Sequence, residues 1–309
     1  MTNHPKILIV GSGAWGTALA QLASRNGHPV RLWSRRSEER IEAAIADVDV
    51  VLSAVSSQGV RPTIERLPDL AANLILITAT KGLDPLTTCT PSQLWQDAFP
   101  QQAVVVLSGP NLSKEIRQGL PAATVVASQY EDAAQTVQTI FNSETFRVYV
   151  NADPLGTELG GTLKNVMAIA AGVCDGIQLG TNAKSGLLTR ALPEMIRVGT
   201  RLGASAETFF GLSGLGDLLA TCNSPLSRNY QVGFGLAQGK ALTQILAEIE
   251  GTAEGVNTTK VLMELAQQQE VTVPITRQVY RLLEGEITPQ EAVKALMERA
   301  PKQEFKDFF

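Results

Sequence analysis

The chain has 309 residues, 44% of them hydrophobic and 18% charged, which is the composition of a soluble globular protein large enough for two domains. Its 26 basic and 30 acidic side chains give a formal net charge of −4, which implies no general polyanion-binding surface and no nucleic-acid partner but leaves room for a local basic pocket. No apolar run approaches the length of about 18 residues that spans a bilayer, and no signal-peptide pattern begins the chain, so we expect a cytoplasmic protein without membrane insertion. Cys89, Cys174 and Cys222 are far apart and lack CxxC spacing, which indicates reduced thiols, and we expect no metal.

The first half of the chain alternates short apolar runs with helix-like segments. This rhythm predicts a doubly wound, parallel α/β sheet of Rossmann-like type. Beyond it the chain has helical periodicity and few β-branched runs. We therefore predict an N-terminal dinucleotide-binding domain at 1–150 and an all-helical substrate-binding domain at 151–309, which could support a homodimer. The strand candidates lie at 6–11, 30–35, 49–55, 74–80, 103–109, 123–128 and 146–150.

A glycine-rich turn follows the first strand candidate. The stretch GSGAWGTALA sets Gly11, Gly13 and Gly16 in G-x-G-x-x-G register between a strand and a helix. Such a turn lets the backbone approach a pyrophosphate closely, and the helix N-terminus attracts the phosphates. Because a strand precedes the turn and a second strand follows the helix, the pattern predicts dinucleotide binding.

The end of the second strand candidate carries two arginines. At this place an acidic residue would bind the ribose 2′-hydroxyl of NAD, but the sequence has Arg35 and Arg36 in LWSRR. Two guanidinium groups can bind a 2′-phosphate, so we expect NADPH as the preferred cofactor, with NADH possible. The alternative is a solvated strand end, since RRSEER continues as mixed surface charge.

Polar clusters follow the next strand candidates, where ligands bind in such sheets. They are AVSS, TKGL and SGPNLSKE. Lys81 beside a glycine suits an anion contact or a solvent-exposed loop. The segment with Asn111 and Ser113 could aim backbone N–H groups at a ligand or could cap a helix.

One lysine stands in the otherwise apolar or small stretch GGTLKNVMAIAAG at 160–172. An unpaired buried ammonium is costly, so Lys164 either snorkels to the surface or meets a partner or a ligand. The only histidines, His4 and His28, are not placed for proton transfer, which leaves that task to another group.

These stretches, together with GLSGLGDLLATC, SRN at 227–229 and EG at 254–255, occur in order from residue 6 to about residue 300. In this order they resemble the bacterial-type NAD(P)-dependent glycerol-3-phosphate dehydrogenases. The glycine pattern is shared by many dehydrogenases. The succession of SGPxxxKE, LKN, GLGDL and SRN is far more specific.

The resemblance implies reversible hydride transfer between NAD(P)H and dihydroxyacetone phosphate, which gives sn-glycerol 3-phosphate for phospholipid synthesis. It implies that Lys164 is the general acid–base group, with a pKa lowered by burial or by a neighbouring cation. For the substrate it implies contacts from Lys81, Gly109, Asn111, Lys164, Asp217, Ser227, Arg228 and Asn229. For the cofactor it implies contacts from Gly11, Gly13, Ala14, Trp15, Gly16, Arg35, Arg36, Lys81, Ser113, Arg228 and Glu254.

The sequence departs from the family pattern at three places. Position 111, usually Ser or Thr, is Asn, and position 113, usually Ala, is Ser. The segment after Arg36 is shorter than usual and lacks an additional short strand, which leaves the strand order open. None of the departures removes a proposed catalytic residue.

Two other functions stay open from the residues alone. One is a dehydrogenase of similar architecture that acts on another hydroxy acid, of the 3-hydroxyacid or 6-phosphogluconate type. The other is a non-catalytic NADPH-binding sensor or scaffold. The phosphate contact of Arg228 distinguishes the first, and the buried Lys164 argues against the second.

Overall fold

The computed structural model describes residues 4–301 and 303–304. By its internal contacts the chain divides into two compact units. The first unit consists of Met1–Lys81 and Cys89–Glu158, and the second of Gly82–Thr88 and Leu159–Phe309. The assignment of residues 1–150 to cofactor binding and 151–309 to substrate binding stays a prediction.

The first unit contains a seven-stranded sheet in the order β2-β1-β3-β4-β5-β6-β7. Every strand candidate of the sequence forms one of these strands, because each is a short run of Val, Ile, Leu and Ala bounded by turn residues. The strands are β1 (Ile7–Val10), β2 (Val30–Trp33), β3 (Val50–Ser53), β4 (Ile75–Thr78), β5 (Ala103–Ser108), β6 (Ala122–Ala127) and β7 (Phe146–Asn151).

Helices cover both faces of this sheet, so the doubly wound fold that the sequence predicts is confirmed. Leu19 and Phe141 pack on one face, whereas Ile41 and Trp95 pack on the other. The first-unit helices are α1 (Ala14–Arg25), α2 (Ile41–Ile45), α3 (Val60–Ile64), α4 (Pro91–Ala98), α5 (Ser113–Arg117) and α6 (Glu131–Phe141).

The sequence predicted a parallel sheet, but one pair of neighbouring strands, β5 and β6, is antiparallel. β1 to β5 run in one direction, whereas β6 pairs with β5 antiparallel and β7 follows β6. The connection explains the reversal, because α5 has only five residues and rises by about 7.5 Å. It is too short to return along β5, whose six residues extend over about 20 Å, so the chain turns back at once.

The turns after β1, β3, β4 and β5 begin at one edge of the sheet, since these strands are adjacent and parallel. The glycine turn, AVSS, TKGL and SGPNLSKE all start there. This arrangement is what places ligand-binding loops together in open α/β sheets.

Helix α7 (Pro154–Gly176) begins in the first unit and continues into the second. It is buried on every side from Gly156 to Ile169, as the GGTLKNVMAIAAG stretch predicted. A π-helical turn at Leu212–Gly216 precedes α9. The further helices are α8 (Gly180–Arg201), α9 (Asp217–Cys222), α10 (Arg228–Ala237), α11 (Leu242–Glu248), α12 (Glu254–Gln268), α13 (Pro274–Leu283) and α14 (Pro289–Met297).

No helix within residues 4–301 combines the length and the apolar composition that crossing a membrane requires. The three cysteines are free thiols, and Cys174 and Cys222 are buried. In the described part of the chain, no group of three or more His, Cys, Asp or Glu side chains is arranged to hold a metal ion.

Candidate active site

Lys164 is buried in the middle of α7, with 8% of its side chain exposed. Its Nζ donates hydrogen bonds to Asp217 Oδ1 at 3.0 Å and to Thr221 Oγ1 at 2.5 Å. The lysine therefore does not snorkel to the surface. It has polar partners on α9, which compensate part of the cost of burying its charge.

The beginning of α9 supplies both partners of the lysine. Asp217 is the first residue of this helix, and Thr221 lies one turn later on the same face. The Thr221 hydroxyl donates to Asp217 Oδ1 at 3.1 Å while it accepts from Lys164. Thr221 is absent from the sequence-predicted site. Its i+4 spacing from Asp217 was the signal that could have found it.

The surroundings of Lys164 combine the expected burial with the charge of a carboxylate. Burial or a neighbouring cation would favour the neutral amine. Lys164 is buried, but it forms an ion pair with the buried carboxylate of Asp217. A carboxylate at this distance favours the ammonium form. The amine, the hydroxyl and the carboxylate thus form a connected hydrogen-bonded group.

Asn229 joins α10 to α7 and to the start of α12. Its Nδ2 donates to Asn165 Oδ1 at 2.9 Å, and its Oδ1 accepts from Gly255 N–H at 2.8 Å. The approach requires glycine at 255, since a Cβ there would lie 2.6 Å from the Asn165 carbonyl oxygen. Asn229 therefore has a structural role in addition to the substrate contact predicted for it.

Ser227 and Arg228 stand at the beginning of α10. The Ser227 hydroxyl caps this helix by accepting from Tyr230 N–H at 3.2 Å, as the helix-cap interpretation of NSPLSRNY expected. Arg228 is exposed, and its Nη1 donates to the Thr252 carbonyl at 3.0 Å. A guanidinium group has five N–H donors, so a held arginine of this kind can still bind phosphate oxygens.

Lys81 and Asn111 lie at the carboxyl edge of the sheet. Lys81 Nζ donates to the Gly109 carbonyl at 3.3 Å. Asn111 Nδ2 donates to the Thr124 hydroxyl at 2.9 Å, and Asn111 Oδ1 is buried without a partner among the described residues. The structure thus brings Lys81, Gly109 and Asn111 together within the first unit.

The glycine turn is built to admit a pyrophosphate. A Cβ on Gly16 would lie 1.8 Å from the Gly11 carbonyl oxygen, so glycine is required for the close strand–helix contact. Gly13 is different, because no atom lies within 4 Å of the place where its Cβ would be. Gly13 precedes α1, Ala14 is the first residue of that helix, and no side chain caps it. Open space before uncapped N–H groups fits a dinucleotide phosphate.

Arg35 and Arg36 are exposed in a turn directly after β2. The turn is held by Ser34 and Ser37, since Ser34 N–H donates to Ser37 Oγ at 3.0 Å and Arg36 N–H to Ser34 Oγ at 3.3 Å. Arg35 lines a cavity of about 510 Å³, whose other charged residues are of both signs. No acidic residue occupies the end of β2.

The remaining predicted cofactor contacts lie at other helix starts and in the glycine turn. Ser113 is the first residue of α5, and Glu254 is the first residue of α12. Trp15 is half-buried and packs against the sheet core. His28 is buried in a turn and faces His4 edge-on, with 5.1 Å between ring centroids, which suits packing.

Comparison with known proteins decides the family. The model of the NAD-dependent glycerol-3-phosphate dehydrogenase C-terminus matches residues 153–294. The model of the N-terminus matches residues 6–43 and 38–134, two stretches that overlap at residues 38–43, shortly after Arg36. The chain belongs to the NAD-dependent glycerol-3-phosphate dehydrogenase family.

Similar proteins in this family cover nearly the whole chain. A Synechocystis protein named glycerol-3-phosphate dehydrogenase [NAD(P)+] is 62% identical over 306 residues, which cover 98% of this chain and 96% of the relative. A Gloeobacter violaceus protein of the same name is 54% identical over 97% of this chain and 99% of its own length. The crystal structure of a Coxiella burnetii glycerol-3-phosphate dehydrogenase has a TM-score of 0.89 at 33% identity, with 96% of this chain and 99% of that chain covered.

Proposed function

We propose that this member of the glycerol-3-phosphate dehydrogenase family transfers hydride reversibly between NAD(P)H and dihydroxyacetone phosphate, with Lys164 as the proton donor and acceptor. Family membership supports the reaction. The observation that carries the role of Lys164 is its buried Nζ, bonded to Asp217 and Thr221 at 3.0 and 2.5 Å. A sensor or scaffold would not require such a group.

In the reductive direction, Lys164 donates a proton from Nζ to the ketone oxygen while the ketone carbon is reduced. In the oxidative direction the neutral amine takes the hydroxyl proton back. The nicotinamide supplies or accepts the hydride, and the protein supplies orientation and charge. Asp217 and Thr221 hold Nζ in place, and the ammonium stabilises the negative charge that develops on the substrate oxygen.

The substrate phosphate requires separate donors. We assign Arg228 to the phosphate oxygens, supported by Ser227 and Asn229, and Asp217 to the glycerol part. Lys81, the Gly109 backbone and the Asn111 amide are assigned to further polar contacts at the carboxyl edge of the sheet. An arginine binds phosphate through paired N–H donors, which also fixes its orientation.

For the cofactor, we assign the turn at Gly11, Gly13 and Gly16 to the pyrophosphate, with Ala14 and Trp15 beside it. Arg35 and Arg36 would bind the 2′-phosphate of NADPH, which is why we expect NADPH to be preferred over NADH. Further cofactor contacts are assigned to Lys81, Ser113, Arg228 and Glu254.

We further propose that the chain works in the cytoplasm as a homodimer and that it supplies sn-glycerol 3-phosphate for phospholipid synthesis. The family and the small phosphorylated substrate support this role. Light scattering coupled to size-exclusion chromatography measures the mass directly.

One assay tests the assignments together. NADPH absorbance is followed with dihydroxyacetone phosphate and with dihydroxyacetone, and the pair is repeated with NADH. Loss of a charged phosphate contact lowers kcat/KM by about a hundredfold, so we expect at least that preference for the phosphorylated substrate. Equal kcat/KM for the two substrates would refute the phosphate site, and a preference for NADH would refute the role of Arg35 and Arg36.

A further inference from the structure

A stripe of polar side chains runs along the otherwise apolar helix α7. Glu158, Thr162 and Asn165 occupy positions i, i+4 and i+7, which lie on one face of a helix. Each uses a side-chain oxygen to accept a hydrogen bond from another segment. Asn165 belongs to the site described above. Glu158 and Thr162 have no part in the chemistry assigned so far.

Glu158 is a fully buried carboxyl group, 1% exposed. It accepts from Ser92 N–H at 3.0 Å and from Ser92 Oγ at 2.5 Å, at the beginning of α4. Burial raises its pKa to about 7, although the bonds from Ser92 and Thr90 lower it in turn. A leucine would fill the same space without this desolvation cost, but it would leave the Ser92 N–H and hydroxyl without their acceptor.

Thr162 contacts the beginning of the segment 82–92, which follows β4, whereas Glu158 contacts its end at Ser92. The Thr162 hydroxyl oxygen accepts from Gly82 N–H at 3.0 Å, and both groups are buried. That N–H belongs to the peptide bond that joins Lys81 to Gly82. The next residue is held as well, since Asn257 Nδ2 donates to the Leu83 carbonyl at 3.2 Å.

We propose that Glu158 and Thr162 are positioning residues that fix α7 to the segment after β4 and thereby set the placement of the Lys164 amine. The proposal rests on the role assigned to Lys164 above. A helix transmits a shift of its first turns along its axis, because its backbone hydrogen bonds are continuous. Misplacement of a reacting group by about 1 Å can lower the rate by about a hundredfold.

Paired variants test the proposal. Glu158→Leu keeps the volume and removes the acceptors, whereas Glu158→Gln keeps one oxygen for Ser92 N–H. We expect Glu158→Leu to lower kcat about tenfold, with the Kd of NADPH within about twofold of wild type, and Glu158→Gln to restore most of kcat. Thr162→Val should lower kcat about threefold and Thr162→Ser should not.

Two residues that lie outside α7 serve as matched controls, one for the carboxylate of Glu158 and one for the hydroxyl of Thr162. Asp97→Asn removes a carboxylate from the exposed face of α4, and Thr139→Val removes a hydroxyl that bonds within its own helix. Both should leave kcat unchanged. Melting temperatures and NADPH affinities are measured for every variant.

The proposal is wrong if Glu158→Leu and Thr162→Val lower the melting temperature while the folded enzyme keeps wild-type kcat. If Glu158→Leu does not fold, Thr162→Val decides, and an unchanged kcat overturns the proposal. Failure of the proposed function would look different. In that case the wild-type enzyme would not reduce dihydroxyacetone phosphate, or Lys164→Met would remain active.

Discussion

Because Lys164 and Asp217 form a buried ion pair, we expect substitution of either residue to affect stability as well as activity. Each partner lies within a few per cent of complete burial, at 8% and 3% side-chain exposure. Removing one member of a buried pair leaves the other charge uncompensated, which destabilises a protein by about 3–5 kcal/mol. A loss of activity in a single variant could therefore reflect unfolding as well as chemistry.

We expect Lys164→Met to lower kcat about a thousandfold, because the proton donor is lost. The double variant Lys164→Met/Asp217→Asn removes both charges and leaves an amide that can bond Thr221. It should regain much of the lost stability but none of the activity. Single-turnover kinetics with NADPH and thermal unfolding separate the two effects.

If the double variant recovers turnover together with its melting temperature, Lys164 has no role in proton transfer. Thr221→Val offers a milder comparison, since it removes one hydrogen bond to Nζ and leaves the ion pair. We expect it to lower kcat about fivefold, the size of one hydrogen bond.

At the residue scale, the sequence revealed Lys164 because a lone cation stands out in an apolar stretch. Asp217 came from the family resemblance, and neither Thr221 nor Glu158 was found. Glu158 lies in GTELGG, where nothing distinguishes a buried carboxylate from an exposed one, and charged residues are seldom buried. The bond between Asn229 and Asn165 joins two helices far apart in the chain, so sequence spacing could not reveal it.

At the scale of elements, substitutions in the turn between β1 and α1 can distinguish an effect on folding from an effect on cofactor binding. Gly13 has open space around its missing Cβ and an ordinary extended backbone, with φ −73° and ψ 178°. We expect Gly13→Val to leave the melting temperature of the free protein unchanged and to abolish the increase that NADPH produces. That increase corresponds to about 2.7 kcal/mol when the cofactor is at a hundred times its Kd.

Gly16→Val is the matched variant of the same turn. Its side chain would meet the Gly11 carbonyl, so we expect loss of the folded first unit even without cofactor. Thermal unfolding by circular dichroism measures both variants. A Gly13→Val protein that still gains stability from NADPH would show that the pyrophosphate does not approach this turn.

The existence of all seven strands could be predicted, but the direction of β6 could not. Apolar β-branched runs identify strands whichever way they run. Direction depends on whether the connecting helix is long enough to cross back, which the apolar pattern of the strand candidates does not reveal. The strand order also required the structure, since the chain after Arg36 forms the short helix α2 and then β3 on the other side of β1.

At the scale of the whole molecule, a buried carboxyl group whose charged form is disfavoured lies in each of the two units. Glu158 lies in the first unit. Glu194 in the second accepts from Ile275 N–H at 2.9 Å and Thr276 N–H at 2.8 Å, and so caps α13. Burial raises the pKa of Glu194 as well. The unfolded chain loses these protons at lower pH than the folded protein.

The free energy of unfolding should therefore decrease as the pH rises from the pKa of these carboxyl groups in the unfolded chain to their pKa in the folded protein. For Glu158 the window extends from about 4.5 in the unfolded chain to about 7 in the folded protein, because the folded state holds more protons there. The corresponding decrease in the free energy of unfolding is about 3 kcal/mol. Glu158→Gln should remove that decrease, as measured by urea unfolding at about pH 5 and about pH 8.

Asp97→Asn again serves as the control and should keep the wild-type pH dependence. Parallel curves for wild type and Glu158→Gln would mean that Glu158 ionises in the folded protein as readily as in the unfolded chain. A steeper curve for Glu158→Gln would contradict the sign of the shift.

The glycine turn and the arginine turn differ in how freely they can be changed. The contact of Gly16 with Gly11 is made by main-chain atoms, which leaves natural or laboratory evolution no side chain to adjust. Arg35 and Arg36 project from an exposed bend that two serines brace, so their replacement disturbs no core. Coenzyme preference is consequently the trait of this protein that we expect to be easiest to redesign, with substitutions at two surface positions as the starting point.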